Sequence, residues 1–103
     1  MDKKNLIKLL KESKKTLIKD KDVEKVILFG SQATGKAGKR SDVDLIVVSR
    51  KFKNMRRGRS VGLHKYFDIG IPVDFLCYTP EEFRSKAKGI TIVKQALKEG
   101  VEI

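Results

Sequence analysis

The sequence has one cysteine, no long apolar run and far fewer acidic than basic residues. Cys77 is alone in the 103 residues, which excludes an internal disulfide and a cysteine-based metal cluster. No apolar run approaches the roughly 18–20 residues that a membrane-spanning helix needs, so we expect no contact with a membrane. The N-terminal segment is amphipathic and lacks the continuous apolar stretch of a signal peptide, so a cytoplasmic location is the default expectation.

Length and composition predict a single globular domain over residues 1–103. Domains typically contain about 100–150 residues. The hydrophobic content of 40% supports a folded core, although 36% of the residues are charged. A chain of this size has room for one modest core and little room for a separate substrate-binding domain.

The shortage of acidic residues, 13 against 24 basic ones, leaves a formal net charge of +11. The excess is concentrated in residues 50–65, which carry seven basic side chains and no acidic one. Two interpretations stay open: a lysine-rich surface of the kind common in hyperthermophiles, or an anionic partner such as nucleotide phosphates or nucleic acid. Only Phe52 adds an aromatic ring to this run, so platforms for stacking bases are scarce.

Hydrophobic periodicity and turn signals predict an α+β fold, in which helices pack on a small, mixed, three-stranded sheet. The predicted strands are Val23 to Phe29, Asp42 to Val48, and Ile71 to Cys77. The predicted helices are Asn5 to about Lys19, a weak segment from Asn54 to Phe67, and two C-terminal helices separated by Gly89. Residues 30–41 are expected to form a loop, with at most one helical turn that begins at Ser31.

Local signals predict where the C-terminal helices begin and end. Thr79 is the expected N-cap, Pro80 follows at the first helical position, and Glu82 completes a capping box. Gly100 is the expected C-cap of the last helix. The helical residues expected to face the core are Leu6, Leu9, Leu10, Leu17, Ile90, Val93, Ala96 and Leu97. We also expect Phe67, Phe75, Phe83 and Cys77 in the core, and His64 as a surface or packing residue.

Two aspartates on the second predicted strand are the first candidates for chemistry. Asp42 and Asp44 are two residues apart, so both side chains lie on one face of the strand, about 6–7 Å apart along the chain. Two like charges among apolar neighbours repel and resist desolvation, and a divalent cation such as Mg²⁺ would neutralise them. The alternative is that both lie at the exposed end of the strand, solvated or paired with Lys39 or Arg40.

A glycine-serine pair and a third aspartate favour the metal interpretation. Gly30 ends the first predicted strand, where a backbone without Cβ permits close approach of a phosphate. Ser31 opens the following turn and offers a hydroxyl and nearby N–H groups to phosphate oxygens. Asp74 lies inside an apolar strand, where an acidic side chain needs a metal, a lysine or an arginine as its partner. If the third strand lies beside the second, the three carboxylates converge.

These residues together resemble the signature of a known family. The pattern is Gly30-Ser31, ten further residues, Asp42 and Asp44 on one strand, and Asp74 on a later strand. It is similar to that of the polymerase-beta-type nucleotidyltransferase superfamily, specifically its minimal nucleotidyltransferase branch, and the order of elements is similar over residues of about 20 to 100. The resemblance implies that Gly30 and Ser31 hold a triphosphate, that the aspartates hold two Mg²⁺ ions, and that Asp74 also helps to activate the attacking hydroxyl.

The chain departs from many relatives immediately after the glycine-serine pair. Those relatives have an arginine at that position, whereas this chain has Gln32. Compensation of the triphosphate charge then falls to the metal and to Lys36, Lys39 or Arg40. The resemblance still implies a nucleotidyltransferase that uses ATP and Mg²⁺.

The resemblance also implies a partner, because larger members add a second domain that grips the acceptor. Minimal members of the MntA-like antitoxin type pair with a helical HEPN-domain ribonuclease toxin and transfer AMP from ATP to a hydroxyl on it, typically of a tyrosine. We therefore expect a protein adenylyltransferase that acts as an antitoxin.

Two alternatives compete with this interpretation. Residues 30–37 nearly form a phosphate-binding P-loop, but the motif needs serine or threonine after Lys36 and the chain has Ala37. The other alternative is a catalytically weak or inactive module that binds nucleotides or nucleic acid through residues 50–65. It explains the charge and leaves the three aspartates unexplained.

Overall fold

The fold, taken from a computed structural model, is described over residues 2–35 and 42–103. Its helices are α1 (Lys3–Lys21), α2 (Ser31–Thr34), α3 (Pro80–Ala87) and α4 (Ile92–Glu99). Its strands are β1 (Val23–Phe29), β2 (Val43–Ser49), β3 (Val73–Tyr78) and β4 (Val101–Glu102). Two short 3-10 turns cover Arg50–Phe52 and His64–Tyr66. No helix in the described part of the chain is both long and apolar enough to cross a membrane.

The sheet has the strand order β3-β2-β1-β4 and is mixed, as predicted. β2 pairs with β1 in the antiparallel and with β3 in the parallel direction, and β4 runs antiparallel to β1. The prediction of three strands was wrong, because the chain after α4 adds a fourth. A Cβ at Gly100 would lie 2.6 Å from the carbonyl oxygen of Leu28, so only glycine lets the chain turn this tightly onto β1.

The two faces of the sheet pack against different helices. Because side chains alternate along a strand, Val43, Leu45 and Val47 of β2 face α1, while Ile46 and Val48 face α3 and α4. The helical residues that complete the two buried layers are Leu6, Leu10 and Leu17 on α1, and Phe83, Val93 and Ala96 on α3 and α4. β2 is therefore buried on both sides, as its sequence predicts, and its aspartate, Asp44, alternates onto the α3/α4 face, where it lines a cavity with Ile92.

Capping signals predicted the ends of the C-terminal helices well. The Thr79 hydroxyl accepts from the Glu82 N–H at 3.2 Å, and the Glu82 carboxylate accepts from the Thr79 N–H at 2.9 Å, which together form the capping box. α4 ends at Gly100, as expected. The predicted turn at Ser31 is also confirmed, as the four-residue helix α2.

The weak helix predicted over residues 54–67 is wrong. Asn54, Gly58 and Gly62 have φ angles of 67°, 75° and 83°, which are incompatible with a right-handed helix. Only the 3-10 turn His64–Tyr66 is helical in that segment. The glycines that weakened the helical pattern in the sequence are the residues that break it.

Several predicted core positions are more exposed than their spacing indicated. Leu9 and Leu97 are 39% and 45% exposed, because only the narrower stripes that contain Leu6 and Val93 face the sheet. Ile90 is fully exposed, because α4 begins two residues later, with Thr91 as its N-cap. The remaining expectations hold in part: Phe67 and Phe83 are buried, whereas Phe75 and Cys77 are half-buried.

Candidate active site

Two of the predicted carboxylates lie side by side on neighbouring strands. In the parallel pairing of β2 with β3, Asp44 is directly opposite Asp74. Neighbouring strands are about 4.8 Å apart, and residues at paired positions point to the same face. Both side chains are therefore on the face covered by α3 and α4, at the ends where the two strands begin. The condition that the third strand lie beside the second is met.

The glycine of the glycine-serine pair packs directly against one of these carboxylates. In the antiparallel pairing, Phe29 at the end of β1 is opposite Asp44, so Gly30 follows at the same edge of the sheet. A Cβ at Gly30 would clash with the Asp44 carboxylate oxygen and lie 3.4 Å from its Cγ. Gly30 also has a φ of 75°, which L residues with a side chain rarely adopt. Close approach and backbone conformation both require glycine here.

Ser31 begins α2 immediately after this contact. The N–H groups of Ala33 and Thr34 are already bonded to the Gly30 carbonyl at 3.1 and 3.2 Å. Ser31 is half-buried, next to the carboxylate edge of the sheet. Three cations expected to balance a triphosphate, Lys36, Lys39 and Arg40, lie outside the described residues, as does Ala37 at the end of the P-loop-like stretch.

Asp42 lies just before β2 and is exposed, as is Asp74, while Asp44 is half-buried. None of the three carboxylates forms a hydrogen bond or an ion pair with any residue in 2–35 or 42–103. The sequence-based alternative that Asp74 is paired with a lysine or arginine therefore finds no partner among these residues. Pairing of Asp42 with Lys39 or Arg40 concerns residues outside the described part.

The electrostatics of the three aspartates are repulsive. Burial raises the pKa of Asp44, and the negative charges of Asp74 and Asp42 raise it further. Asp74 and Asp42 are thus close enough to disfavour the charge of Asp44. A site of this kind favours a bound cation or a proton.

The donor set fits a hard divalent cation in type. Mg²⁺ prefers carboxylate oxygens and is usually held by one or two carboxylates plus substrate phosphates, which matches the adjacent pair Asp44 and Asp74. Within residues 2–35 and 42–103, no group of three or more His, Cys, Asp or Glu side chains is itself arranged to hold a metal ion. The described chain therefore supplies a carboxylate pair with a third carboxylate nearby, and substrate oxygens would have to complete the coordination.

Two cavities meet at Asp44. One, of about 280 Å³, extends over Asp74 and Leu76, and the other, of about 290 Å³, extends over Gly30 towards α4. Phe29, Asp44 and Ile92 line both. The carboxylate thus divides a cleft between the sheet and α4 into two parts. A more open hollow of about 610 Å³ between His64 and Val73 contains none of the three carboxylates.

The residues of α4 that line this cleft were not predicted as part of the site. They are spaced at helical intervals and form one stripe, Ile92, Gln95, Ala96 and Glu99. Gln95 donates a hydrogen bond to the Glu99 carboxylate at 3.4 Å. Their helical spacing was readable, but the side of the helix that lines a cleft was not, because only the fold brings α4 beside Gly30.

Comparisons with known proteins agree with this geometry. A family model described as "Nucleotidyltransferase domain" matches residues 6–102. A protein of Methanocaldococcus jannaschii named "Putative protein adenylyltransferase" is 36% identical over 59 residues. That match covers 54% of this chain and 59% of the relative, which is less than two thirds of the relative's length.

The fold is also similar to a solved structure, that of a "putative nucleotidyltransferase" from Sulfolobus solfataricus. The TM-score is 0.67 at 24% identity, with 97% of this chain and 80% of the other covered. At this identity the likeness shows the fold alone. The family model, by contrast, spans nearly the whole sequence, and the chain belongs to the nucleotidyltransferase domain family.

Proposed function

We propose that this protein is a Mg²⁺-dependent nucleotidyltransferase that transfers AMP from ATP to a hydroxyl group on a partner protein. One observation carries the proposal: Asp44 lies opposite Asp74 on parallel strands, and its carboxylate packs against Gly30 at the end of β1. Two adjacent acids beside a glycine turn, with no partner among the described residues, are suited to join a polyphosphate to the protein through a divalent cation.

Each site residue has a proposed role. Asp42, Asp44 and Asp74 would hold Mg²⁺, and Gly30 and Ser31 would hold the triphosphate through close backbone approach and the serine hydroxyl. When bound, the divalent ions lower the pKa of the attacking hydroxyl and neutralise charge on the triphosphate. Two ions are expected from the family resemblance.

The reaction forms one bond and breaks one. The acceptor oxygen attacks the α-phosphorus of ATP in line, the bond from that phosphorus to the bridging oxygen breaks, and pyrophosphate leaves. The hydroxyl proton passes to an acceptor at the site. Asp74 is the proposed general base, because its side chain is exposed and has no partner among the described residues.

A protein is the proposed acceptor, for two reasons. The relative from Methanocaldococcus jannaschii is named a putative protein adenylyltransferase. The chain resembles minimal nucleotidyltransferases of the antitoxin type, whose acceptor is a tyrosine of a HEPN-domain toxin. We therefore propose a HEPN-type partner and an antitoxin role, both of which rest on this likeness.

The test is transfer of label from α-labelled ATP to a co-expressed candidate partner in the presence of Mg²⁺. We expect labelling with the wild type and with Asp68→Asn, which removes an exposed acid that lines the separate hollow between His64 and Val73. We expect none with Asp44→Asn or when Mg²⁺ is chelated. Equal labelling by Asp44→Asn, or none by the wild type with any partner, would contradict the proposal.

A catalytically weak nucleic-acid-binding module is the second candidate, and the net charge of +11 with its basic run favours it. That function predicts affinity for RNA or DNA that falls steeply with salt and survives Asp42→Asn. Loss of metal-dependent ATP binding in the same variant would instead favour the enzyme.

A further inference from the structure

The basic run of residues 50–65 has no role in the chemistry proposed above. Its four arginines fall into two groups. Arg50 is paired with Asp22 at 3.1 Å, and Arg59 donates to Glu82 at 2.5 and 3.2 Å, so these two serve the fold. Arg56 and Arg57 are exposed and have no hydrogen-bond or ion-pair partner in residues 2–35 and 42–103.

The fold lays this segment along the outer edge of β3. In the described sheet β3 pairs with β2 alone, so its other edge is open. Arg59 donates to the Cys77 carbonyl at 3.1 Å, and the His64 ring nitrogen Nε2 lies 3.1 Å from the Val73 carbonyl oxygen. These two contacts hold the segment against the strand. They also occupy two carbonyls that an added strand would need.

The result is a groove of about 270 Å³ between the loop and β3. Arg56 and Arg57 line its loop side, and Phe75 to Tyr78 line its strand side. The ammonium of Lys86 lies 5.5 Å from the centre of the Tyr78 ring and adds a third cation at that end. The charge around the groove is positive, and no described acidic side chain compensates Arg56 and Arg57.

The groove lies next to the cavity of the carboxylate pair. Phe75 and Leu76 line both this groove and the cavity that contains Asp44 and Asp74. Along an extended strand each residue advances about 3.3 Å, so the far end of the groove, at Tyr78, is roughly 13 Å from Asp74. A bound segment thus reaches from the arginines to the proposed general base.

We propose that this groove, which we call the β3 groove, is the docking site for an acidic segment of the acceptor protein. The inference rests on the proposed function, because it places the acceptor hydroxyl at Asp74. It adds a recognition rule: acidic side chains should lie roughly three to five positions from the modified residue in an extended segment. Side chains, not an added β-strand, carry the recognition, because the carbonyls of Val73 and Cys77 are already occupied.

A protein segment fits the groove better than a nucleic acid. Single-stranded nucleic acids bind where aromatic faces are open to bases. Here the Phe75 ring already contacts the rings of His64 and Phe67, at 4.9 and 5.4 Å between centres. The Tyr78 ring carries the ammonium of Lys86. The groove therefore offers positive charge without a free stacking surface.

The test uses fluorescent peptides that contain one tyrosine, with glutamates or, in the matched set, glutamines roughly three to five positions away. Binding is measured by polarisation, separately from labelling by ATP. We expect the glutamate peptide to bind more tightly, and Arg56→Glu with Arg57→Glu to weaken its binding roughly tenfold. The same variant should raise the KM for the peptide and leave the KM for ATP unchanged.

The matched control reverses two exposed lysines of α1 that do not line the groove, Lys8→Glu with Lys11→Glu, and should bind like the wild type. Arg56→Gln with Arg57→Gln gives a milder neutralisation, and circular dichroism checks folding of each variant. Equal binding of both peptides, an equal loss in the α1 control, or tighter binding of an RNA of the same charge would overturn the docking site. Charge-dependent binding of the peptides without labelling by ATP would support the docking site and contradict the transfer reaction instead.

Discussion

The two ends of β3 handle negative charge in opposite ways. At its start, Asp74 lies beside Asp44 without a compensating cation among the described residues, and burial with this repulsion raises the pKa of Asp44. Beyond its end, Glu82 accepts from Arg59 and from the Thr79 backbone, which lowers its pKa to about 2. The pairing that stabilises a carboxylate is complete at one end and absent at the other. A carboxylate paired within the chain, such as Glu82, stabilises the fold. Carboxylates without such a partner, such as Asp44 and Asp74, indicate a site for a ligand.

The largest expected effect is a loss of catalysis when Asp44, which lies beside the start of β3, is substituted. Asp44→Asn should reduce AMP transfer roughly 10³-fold, equivalent to about 4 kcal/mol of transition-state stabilisation. It should leave the melting temperature unchanged or raise it, because it removes a desolvated, repelled charge. Single-turnover labelling and thermal unfolding on the same preparation measure both. A marked loss of stability would show that Asp44 is a structural residue.

The next effect concerns the backbone that touches this carboxylate. Gly30→Ala should cost about 1–3 kcal/mol of unfolding free energy and abolish metal-dependent ATP binding, because the new Cβ clashes with Asp44 at a positive φ. Gly35→Ala is the control, with a φ of 79° and open space around the Cβ position. It should share the conformational penalty and keep ATP binding. Equal ATP binding by both variants would separate Gly30 from the site.

Beyond the end of β3, where Glu82 is paired with Arg59, a substitution should change stability alone. Glu82→Ala removes the capping box and the partner of Arg59 and should cost about 1–2 kcal/mol of unfolding free energy. Glu82→Gln keeps an acceptor for the Thr79 N–H and should cost less. Urea unfolding gives both values. AMP transfer to a tyrosine amide without acidic residues should be unaffected. A parallel loss of that activity would show that Glu82 is not purely structural.

The smallest effect is a difference in pH dependence. Because the pKa of Glu82 is lowered from 4.5 to about 2, its contribution is present above pH 4.5 and is lost as the pH falls towards 2. Asp44 has the opposite sign: its pKa is raised above 3.8, so stability decreases as the pH rises from that value. Glu82→Gln should therefore flatten the acid-side loss of stability, and Asp44→Asn should steepen it. Urea midpoints between pH 2 and 6 measure the slopes, and identical slopes would refute the assignment.

The sequence predicted most of the fold because its signals are local. The strand Val23–Phe29 was predicted to the residue, and the capping box at Thr79 was confirmed. β4 was not predicted, since two residues have no detectable period and depend on pairing with Leu28 and Ile27. The segment 54–67 was misassigned as a weak helix, because the sequence does not show that Gly58 and Gly62 adopt left-handed conformations.

The part of the candidate site that lies on one strand face and in one turn was predictable from the sequence. Asp42, Asp44, Asp74, Gly30 and Ser31 were all proposed from the sequence, and the structure places Asp44 opposite Asp74 and in contact with Gly30. The sequence does not show which residues from distant elements pack around these side chains. The stripe on α4 and the β3 groove depend on how α4 and the loop fold back onto the sheet. Their residues carry no motif of their own.

The two side chains that occupy the carbonyls of β3 bear on how copies of this protein behave when crowded together. An open sheet edge is a template on which a second chain can extend the hydrogen-bond ladder. Here Arg59 and His64 leave Phe75 as the single outward position between two occupied ones, too short a run to seed intermolecular β-structure. The loop of residues 50–65, which we propose binds an acidic segment, thus also disfavours aggregation of the protein through this sheet edge.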